Sequence, residues 1–461
     1  MQISYKSSMH PNRAFKILNF SPTQIIVVGF IILILIGTVL LSLPISSNGQ
    51  RASFINALFT ATSATCVTGL IVHDTNTFWS PFGKVVIILL IQIGGLGIMS
   101  MSTIFAIMMR RSIGMKERLI IQESINEFSL SGVVRTIKNI LIFTLVIETC
   151  GAIILATQFI PVYGFFNGIF KSFFHAISAF CNAGFDILGQ EGSKFASLVP
   201  YQNNPVIILT ISLLIIIGGL GFIVWKDLVN TKKFNKLSLH SRIVLIITTI
   251  LLVSGTIFFL VLEGSNPKTM GSMTIGGKLL NSFFASVTPR TAGFNSVNIT
   301  DMKDASHFMT IILMFIGAAP GSTGGGIKVT TFGVIIFTLI SSIRGNSEVN
   351  MLNRRVPMSI ITKSISITTI SMFVIIITTM VLTLNHEGTF LASLYEATSA
   401  FATVGVSTGI TPTLKISSKI FIIITMFLGR VGPLSAAIAF TLKRKKKSNL
   451  YNYPEGRISV G

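Results

Sequence analysis

Along this chain, apolar runs long enough to cross a bilayer alternate with shorter ones in a fixed order. A spanning helix needs about 20 predominantly apolar residues, whereas a run of 10 to 14 suits a re-entrant segment. That rule yields one triplet four times over. Residues 25–43 span, 54–64 are too short to span, and 85–109 span back; the second triplet is 140–160, 169–180 and 206–225. The third is 243–262, 279–287 and 308–340, and the fourth is 365–384, 391–401 and 420–442. With an even number of spans in each triplet, both ends of the chain lie on one side of the membrane. The expected organisation is an N-terminal segment (1–21), four repeats (22–111, 136–230, 240–344 and 360–442) and a C-terminal tail (443–461).

Charge says which side that is. Most of the 36 Lys and Arg fall on the side of the termini, among them Arg110, Arg111, Lys226, Lys233, Arg344 and the basic run 443–447. By the positive-inside rule both termini are cytoplasmic, and the short segments enter from outside. Half of the 461 residues are hydrophobic and only 11% are charged, which places the chain among integral membrane proteins. The net charge of +21 does not indicate a nucleic-acid partner, because the cations sit in the gaps between apolar runs and not on one face of a polar domain. Cys66, Cys150 and Cys181 form no CxxC pair and number three, so neither a disulfide framework nor a zinc site is indicated. The first apolar run follows Lys6, Arg13 and Lys16, as in a secretory signal, but it is too long for a signal core and lacks a small-x-small site, so a retained span is expected.

Each short segment ends in a related motif. These are LFTATSATCVTGL at 58–70, FHAISAFCNAGF at 174–185, FFASVTPRTAGF at 283–294 and YEATSAFATVGVSTG at 395–409. In each an aromatic residue, Phe59, Phe174, Phe283 or Tyr395, stands ten positions before a glycine, Gly69, Gly184, Gly293 or Gly405. The glycines recur about every 110 residues, the signature of an internal repeat. The returning spans carry a second mark: GGLG at 94–97, GGLG at 218–221, GAAPG at 317–321 and GRVGP at 429–433. For the first two, close helix packing through small residues is the simplest explanation.

Backbone that is neither helix nor closed barrel survives at membrane depth only where protein buries it or water lines it. Four such segments must therefore meet around something. Glycine lets each chain adopt an extended or left-handed conformation whose carbonyls point inward. A ring of carbonyls can replace the hydration shell of a cation. The C-terminal ends of the short helices would add partial negative charge, which repels anions.

Of the four copies, Thr403-Val404-Gly405-Val406 most nearly repeats the Thr-Val-Gly-Tyr-Gly filter of potassium channels. With four spaced copies and the glycine marks on the returning spans, the chain resembles the Trk/Ktr/HKT superfamily of potassium transporters over nearly its whole length. Within it, the chain is most similar to the membrane subunits of bacterial Ktr systems. The resemblance implies an all-α integral membrane protein with four helix/pore-helix/helix repeats in pseudo-fourfold arrangement around one ion pore. The filter residues it implies are Val67, Thr68 and Gly69; Asn182, Ala183 and Gly184; Thr291, Ala292 and Gly293; and Thr403, Val404 and Gly405. Family members with serine at the first of these glycines tend to pass sodium, so Gly69 favours potassium as the transported ion. The second glycine of the channel filter is missing from all four copies, and one strong site is expected. The resemblance also implies a homodimer that works with a cytosolic ring of nucleotide-binding regulatory subunits, with nucleotide on the partner alone. The basic loops and the tail 443–461 are candidate docking surfaces, with plain topology signals or anionic-lipid contacts as equal explanations of their lysines.

The third returning span is interrupted by GAAPGSTGGGIK at 317–328. Pro320 and the glycines cannot continue a helix comfortably, so the middle should unwind into a loop at membrane depth, just below the filter. The resemblance makes this loop a gate, with Gly317, Pro320, Gly321, Gly324, Gly325, Gly326 and Lys328 in it. A phosphate-binding loop is a poor match, since Ile327 separates Lys328 from Gly326 and no strand precedes it. Arg430, inside the fourth returning span, is expected to touch residues 321–326 and act as an electrostatic barrier; a pairing with Glu148 or a helix terminus is the alternative. Arg290, Asp186 and Glu396 are expected to form a salt-bridged scaffold around the filter, with direct contact to the ion as the alternative, and Glu148, facing the same choice within a span, a structural contact. His73, His175, His307 and His386 show no ligand spacing. Two other function classes compete. A sodium-coupled secondary transporter would call for inverted repeats and paired broken helices, but here every repeat has the same orientation and only the third is plainly interrupted. An enzyme would need a cluster of titratable groups that the sequence lacks.

Overall fold

The computed structural model describes residues 21–97, 122, 133–231, 233–346, 348–386 and 388–440. The expectations for the N-terminal segment before residue 21, the inner end of the 85–109 span and the tail 443–461 lie outside the described residues.

The first repeat comprises α1 (Pro22–Leu41), α2 (Phe54–Thr65), the one-turn α3 (Thr75–Phe78) and α4 (Pro81–Leu96). The second comprises α5 (Val133–Tyr163), α6 (Phe165–Phe180), α7 (Pro205–Gly219) and α8 (Phe222–Asn230). The third comprises α9 (Leu239–Glu263), α10 (Ile275–Val287), α11 (Asp304–Phe315) and α12 (Val329–Ile343). After a small hairpin, β1 (Asn350–Met351) and β2 (Arg354–Arg355), the fourth comprises α13 (Met358–Leu384), α14 (Phe390–Ala402), α15 (Ile416–Val431) and α16 (Pro433–Phe440). Helix starts are written locally. Ser53, Thr274 and Thr389 each accept a backbone N–H of the first turn of α2, α10 and α14, and proline opens α1, α4 and α7, where its missing N–H costs nothing.

The leading helix of every repeat is long and apolar enough to cross a membrane: Thr23–Leu41, Arg135–Tyr163, Leu239–Glu263 and Met358–Leu384. The returning helices differ from the sequence expectation, because more than the third is broken. α7 and α8 meet at 94°, at Gly221 with φ 89°. α15 stops before Gly432, φ 91°, and α16 follows; α4 ends before Gly97, φ 86°, the last described residue of its span. In the first, second and fourth repeats each small-residue mark therefore has two uses. Its first glycine packs: a β-carbon at Gly94, Gly218 or Gly429 would overlap the carbonyl of Thr65, Phe180 or Phe401, at the C-terminal end of the short helix in the same repeat. Its last glycine turns the chain in the left-handed region, where other residues are strained.

The repeats close into a ring. Each returning helix packs on the short helix of the next repeat: α4 on α6, α7 on α10, α11 on α14, and α15 back on α2. The motif aromatics Phe59, Phe174 and Tyr395 are buried in the seams, whereas in the third repeat Phe284, one position later, is the fully buried ring.

Candidate functional site

The four short helices deliver their motifs to one place. At each motif the residue two before the glycine is left-handed: Val67 (φ 56°), Asn182 (59°), Thr291 (68°) and Thr403 (50°). The glycines follow at 93°, 68°, 81° and 92°. Left-handed backbone is uncommon for a non-glycine residue, so its recurrence at four equivalent positions marks a constructed feature.

Hydrogen bonds to the parent helix hold that shape. The amides of Thr68, Ala183 and Val404 donate to the carbonyls of Ser63 (2.8 Å), Ser178 (2.7 Å) and Ser399 (2.9 Å). The hydroxyls of the same serines reach the far side of the loop. Ser63 and Ser399 accept the amides of Gly69 and Gly405, both at 3.1 Å. Ser178 and Ser399 donate to the carbonyls of Phe185 and Val406, both at 2.7 Å. In the third repeat Thr288 donates to the Phe294 carbonyl. Sequence reading missed these buttresses, although a hydroxyl six positions before the glycine in three copies was there to be seen. The third copy is displaced by one residue because α10 ends at Val287, two residues before Pro289.

The loops touch in cyclic order. Gly69 lies against the Ala183 carbonyl, Gly184 against Gly293, Gly293 against the Val404 carbonyl, and Gly405 against the Thr68 carbonyl. A β-carbon at Gly293 would sit 2.6 Å from that Val404 oxygen, and one at Gly405 would overlap the Thr68 oxygen outright. All twelve residues from Val67–Gly69, Asn182–Gly184, Thr291–Gly293 and Thr403–Gly405 are buried. Four helix C-termini thus converge on a ring of backbone, where their partial negative charge favours a cation.

Directly beneath lies the segment between α11 and α12, unwound from Ile316 to Lys328. Gly324 and Gly325 press on the hydroxyls of Thr291 and Thr403 so closely that a β-carbon at either would overlap them. The Gly317 amide donates to Ile327 O at 2.8 Å and Val329 N to Ala318 O at 3.2 Å, closing the base of the loop. The α7/α8 break grips its side: Ala319 N donates to Gly219 O (3.0 Å), Thr323 N to Gly218 O (3.3 Å) and Phe222 N to Gly321 O (2.9 Å). Pro320 packs its carbonyl against Gly221. The Asn182 amide lies 3.3 Å from the Thr323 hydroxyl and 3.2 Å from that of Thr291, joining loop to ring. Lys328 Nζ donates to Gly324 O at 2.6 Å. Arg430 donates to Thr323 O, to Gly94 O and, at 3.1 Å, to Gly95 O, so one guanidinium ties the loop to carbonyls in the last turn of α4.

The remaining charged residues do not form the salt-bridged scaffold expected. Arg290 donates to Thr248 Oγ1 (3.2 Å), Asp186 accepts Leu188 N (3.1 Å), and Glu396 accepts the hydroxyls of Ser407 and Thr411. Among the described residues none of the three makes an ion pair, because backbone and hydroxyl groups of the same repeat lie closer than any opposite charge. Glu148 accepts Gln92 Nε2 at 3.2 Å. In the outer connection, burial and the charge of Lys419 hold His73 below the usual imidazole range, and its neutral ring stacks on Phe78 at 3.9 Å.

A ring of re-entrant loops among long apolar helices defines a multi-pass membrane protein of the pore-loop class. The profile of the TrkH family, described as cation transport protein, matches residues 7–451, and the chain belongs to that family. It is 40% identical over 454 residues to the Ktr system potassium uptake protein B of Bacillus subtilis, covering 98% of this chain and all of that protein. It is 39% identical to the potassium/sodium uptake protein NtpJ of Enterococcus hirae, over 96% of this chain and 97% of the relative. The crystal structure of the potassium transporter TrkH from Vibrio parahaemolyticus shares the fold, with a TM-score of 0.72 at 18% identity, covering 94% of this chain and 87% of that one.

Proposed function

We propose that this chain is the membrane subunit of a potassium uptake system of the plasma membrane, with both termini cytoplasmic and the four repeats bounded as the sequence suggests. The cyclic contact of Gly69, Gly184, Gly293 and Gly405 carries the reading, since it supports backbone carbonyls gathered around one axis, where they can replace the hydration shell of a cation. In this reading Val67–Gly69, Asn182–Gly184, Thr291–Gly293 and Thr403–Gly405 form the filter. The Thr68 and Thr403 hydroxyls, buried without hydrogen-bond partners among the described residues, favour a site that takes a cation. The segment 317–328 obstructs the path below the filter, and Arg430 and Lys328 hold it there as a gate. The names of the relatives favour potassium as the ion and a Ktr-type complex as the setting; the name of NtpJ keeps sodium as a second cation. A homodimer with a cytosolic nucleotide-binding ring follows from the Ktr reading.

Growth of a potassium-uptake-deficient bacterial strain at low potassium, with sodium varied, tests the proposal. Rescue by the wild type that is lost on Gly405→Ser supports it. Rescue that survives this substitution with unchanged ion preference would reject the filter assignment.

A further inference from the structure

Beside the α7/α8 break the surface opens into a cavity of about 700 Å³ between α5 and α8. Its mouth holds Arg135 and Lys226, and among the described residues no acid lines it. Its depth is apolar, with Phe143, Val146, Phe222 and Trp225. The Trp225 indole donates to Ile217 O at 2.8 Å and packs 5.2 Å from the Phe143 ring, so the floor is fixed to the broken helix. Val146 is 53% exposed, which leaves the apolar part continuous with the surface that faces lipid.

A cationic mouth over an apolar body matches one kind of occupant: a molecule with an anionic head and a hydrocarbon tail. Cations near the inner membrane surface attract anionic headgroups, and the cavity can take a headgroup with the first part of its chains. A soluble anion would leave the aromatic depth unused. The floor of the cavity also belongs to the segment that grips the obstructing loop. Phe222, which lines the cavity, is the residue whose amide donates to Gly321 O.

From these observations we infer that the α5/α8 groove binds an anionic phospholipid of the cytoplasmic leaflet, and that its occupancy biases the 317–328 loop toward its seated position. The groove exists here together with the seated loop. A ligand that fits this state and fits the displaced one less well shifts the population toward it. The regulatory half of the inference rests on the gate proposed above; the binding half does not.

The test uses the full chain, purified and reconstituted. Native mass spectrometry reads retention of phosphatidylglycerol against phosphatidylethanolamine, and potassium flux is measured in vesicles of phosphatidylethanolamine with and without phosphatidylglycerol. Wild type should retain phosphatidylglycerol selectively, and its flux should fall about threefold as that lipid is added, a shift that needs only a modest difference in affinity between the two states. The Arg135→Gln/Lys226→Gln pair should lose both effects. So should Val146→Trp, which fills the groove and keeps the cations, while Lys363→Gln, an exposed cation elsewhere, should keep both. Equal retention of both lipids, or retention unchanged in the two groove variants, overturns the site. Retention lost with flux unaltered overturns the coupling to the loop. Absence of potassium flux from wild type in every vesicle would count against the transport reading instead, and lipid retention would still decide the site.

Discussion

Gly325 lies against the hydroxyl of Thr403, with no room for a β-carbon between them. The 316–328 loop and the fourth glycine motif are therefore in direct contact, and on the gate proposed above the size of one side chain separates a seated loop from a displaced one. Gly325→Ala should push the loop off Thr403 and raise the maximal rate of potassium uptake several-fold, with little change in the concentration giving half-maximal uptake. Initial rates in potassium-starved cells check this, and a rate equal to wild type would exclude contact gating at Gly325.

Gly405→Ser combines a collision with the Thr68 carbonyl and a side chain at φ 92°. Both push the fourth loop away from the first and open the proposed filter ring at that contact. Potassium affinity should fall at least about tenfold, the cost of losing roughly 1.4 kcal/mol of ion binding, and sodium should become an effective competitor. Rubidium uptake in the presence of either ion measures both effects.

Arg430→Gln removes a charged donor from the carbonyls of Thr323 and Gly94. Hydrogen bonds to charged groups contribute about 1.5–3 kcal/mol, so the loop should be held less firmly. Uptake should quicken and the purified protein should melt at a lower temperature. Unchanged rate and affinity would remove the barrier role.

Ser399→Ala leaves the Gly405 amide and the Val406 carbonyl without the hydroxyl that joins them to α14. Each buried group left unpaired costs about 1–3 kcal/mol. The expected signature is a tenfold or larger loss of potassium affinity at normal membrane abundance, since the change touches the proposed filter loop and not the spans. Ser399→Thr keeps the hydroxyl and should retain most of the affinity; equal loss in both variants would argue for packing over hydrogen bonding.

How much of this was legible depended on the range of the interaction. The short helices are nearly where the sequence puts them, 54–64 against Phe54–Thr65 and 391–401 against Phe390–Ala402, because apolar length and an N-cap are local properties. The interruption at 317–328 was also readable, since proline and consecutive glycines break a helix by themselves. The breaks at Gly221 and Gly432 were not. Gly221 stands in a GGLG cluster and Gly432 directly before Pro433, but small residues in an apolar run also suit a straight, closely packed span, and only the neighbouring repeat shows whether the chain bends. The salt bridges expected of Arg290, Asp186 and Glu396 failed for a related reason: sequence shows that charges exist, while hydroxyl and amide partners within reach depend on how each loop turns.

By itself the sequence determined that the chain crosses a membrane repeatedly, that it is built of four equivalent repeats, and that each repeat carries a glycine where the backbone leaves the helix, because these follow from periodicity and side-chain chemistry. Tertiary structure decided which loop meets which, that the ring closes from α15 back to α2, and that Arg430 joins the 316–328 loop to the first repeat. Those contacts link residues as far apart as Gly94 and Arg430, and such partners are chosen by the packing of whole helices, which no local pattern encodes.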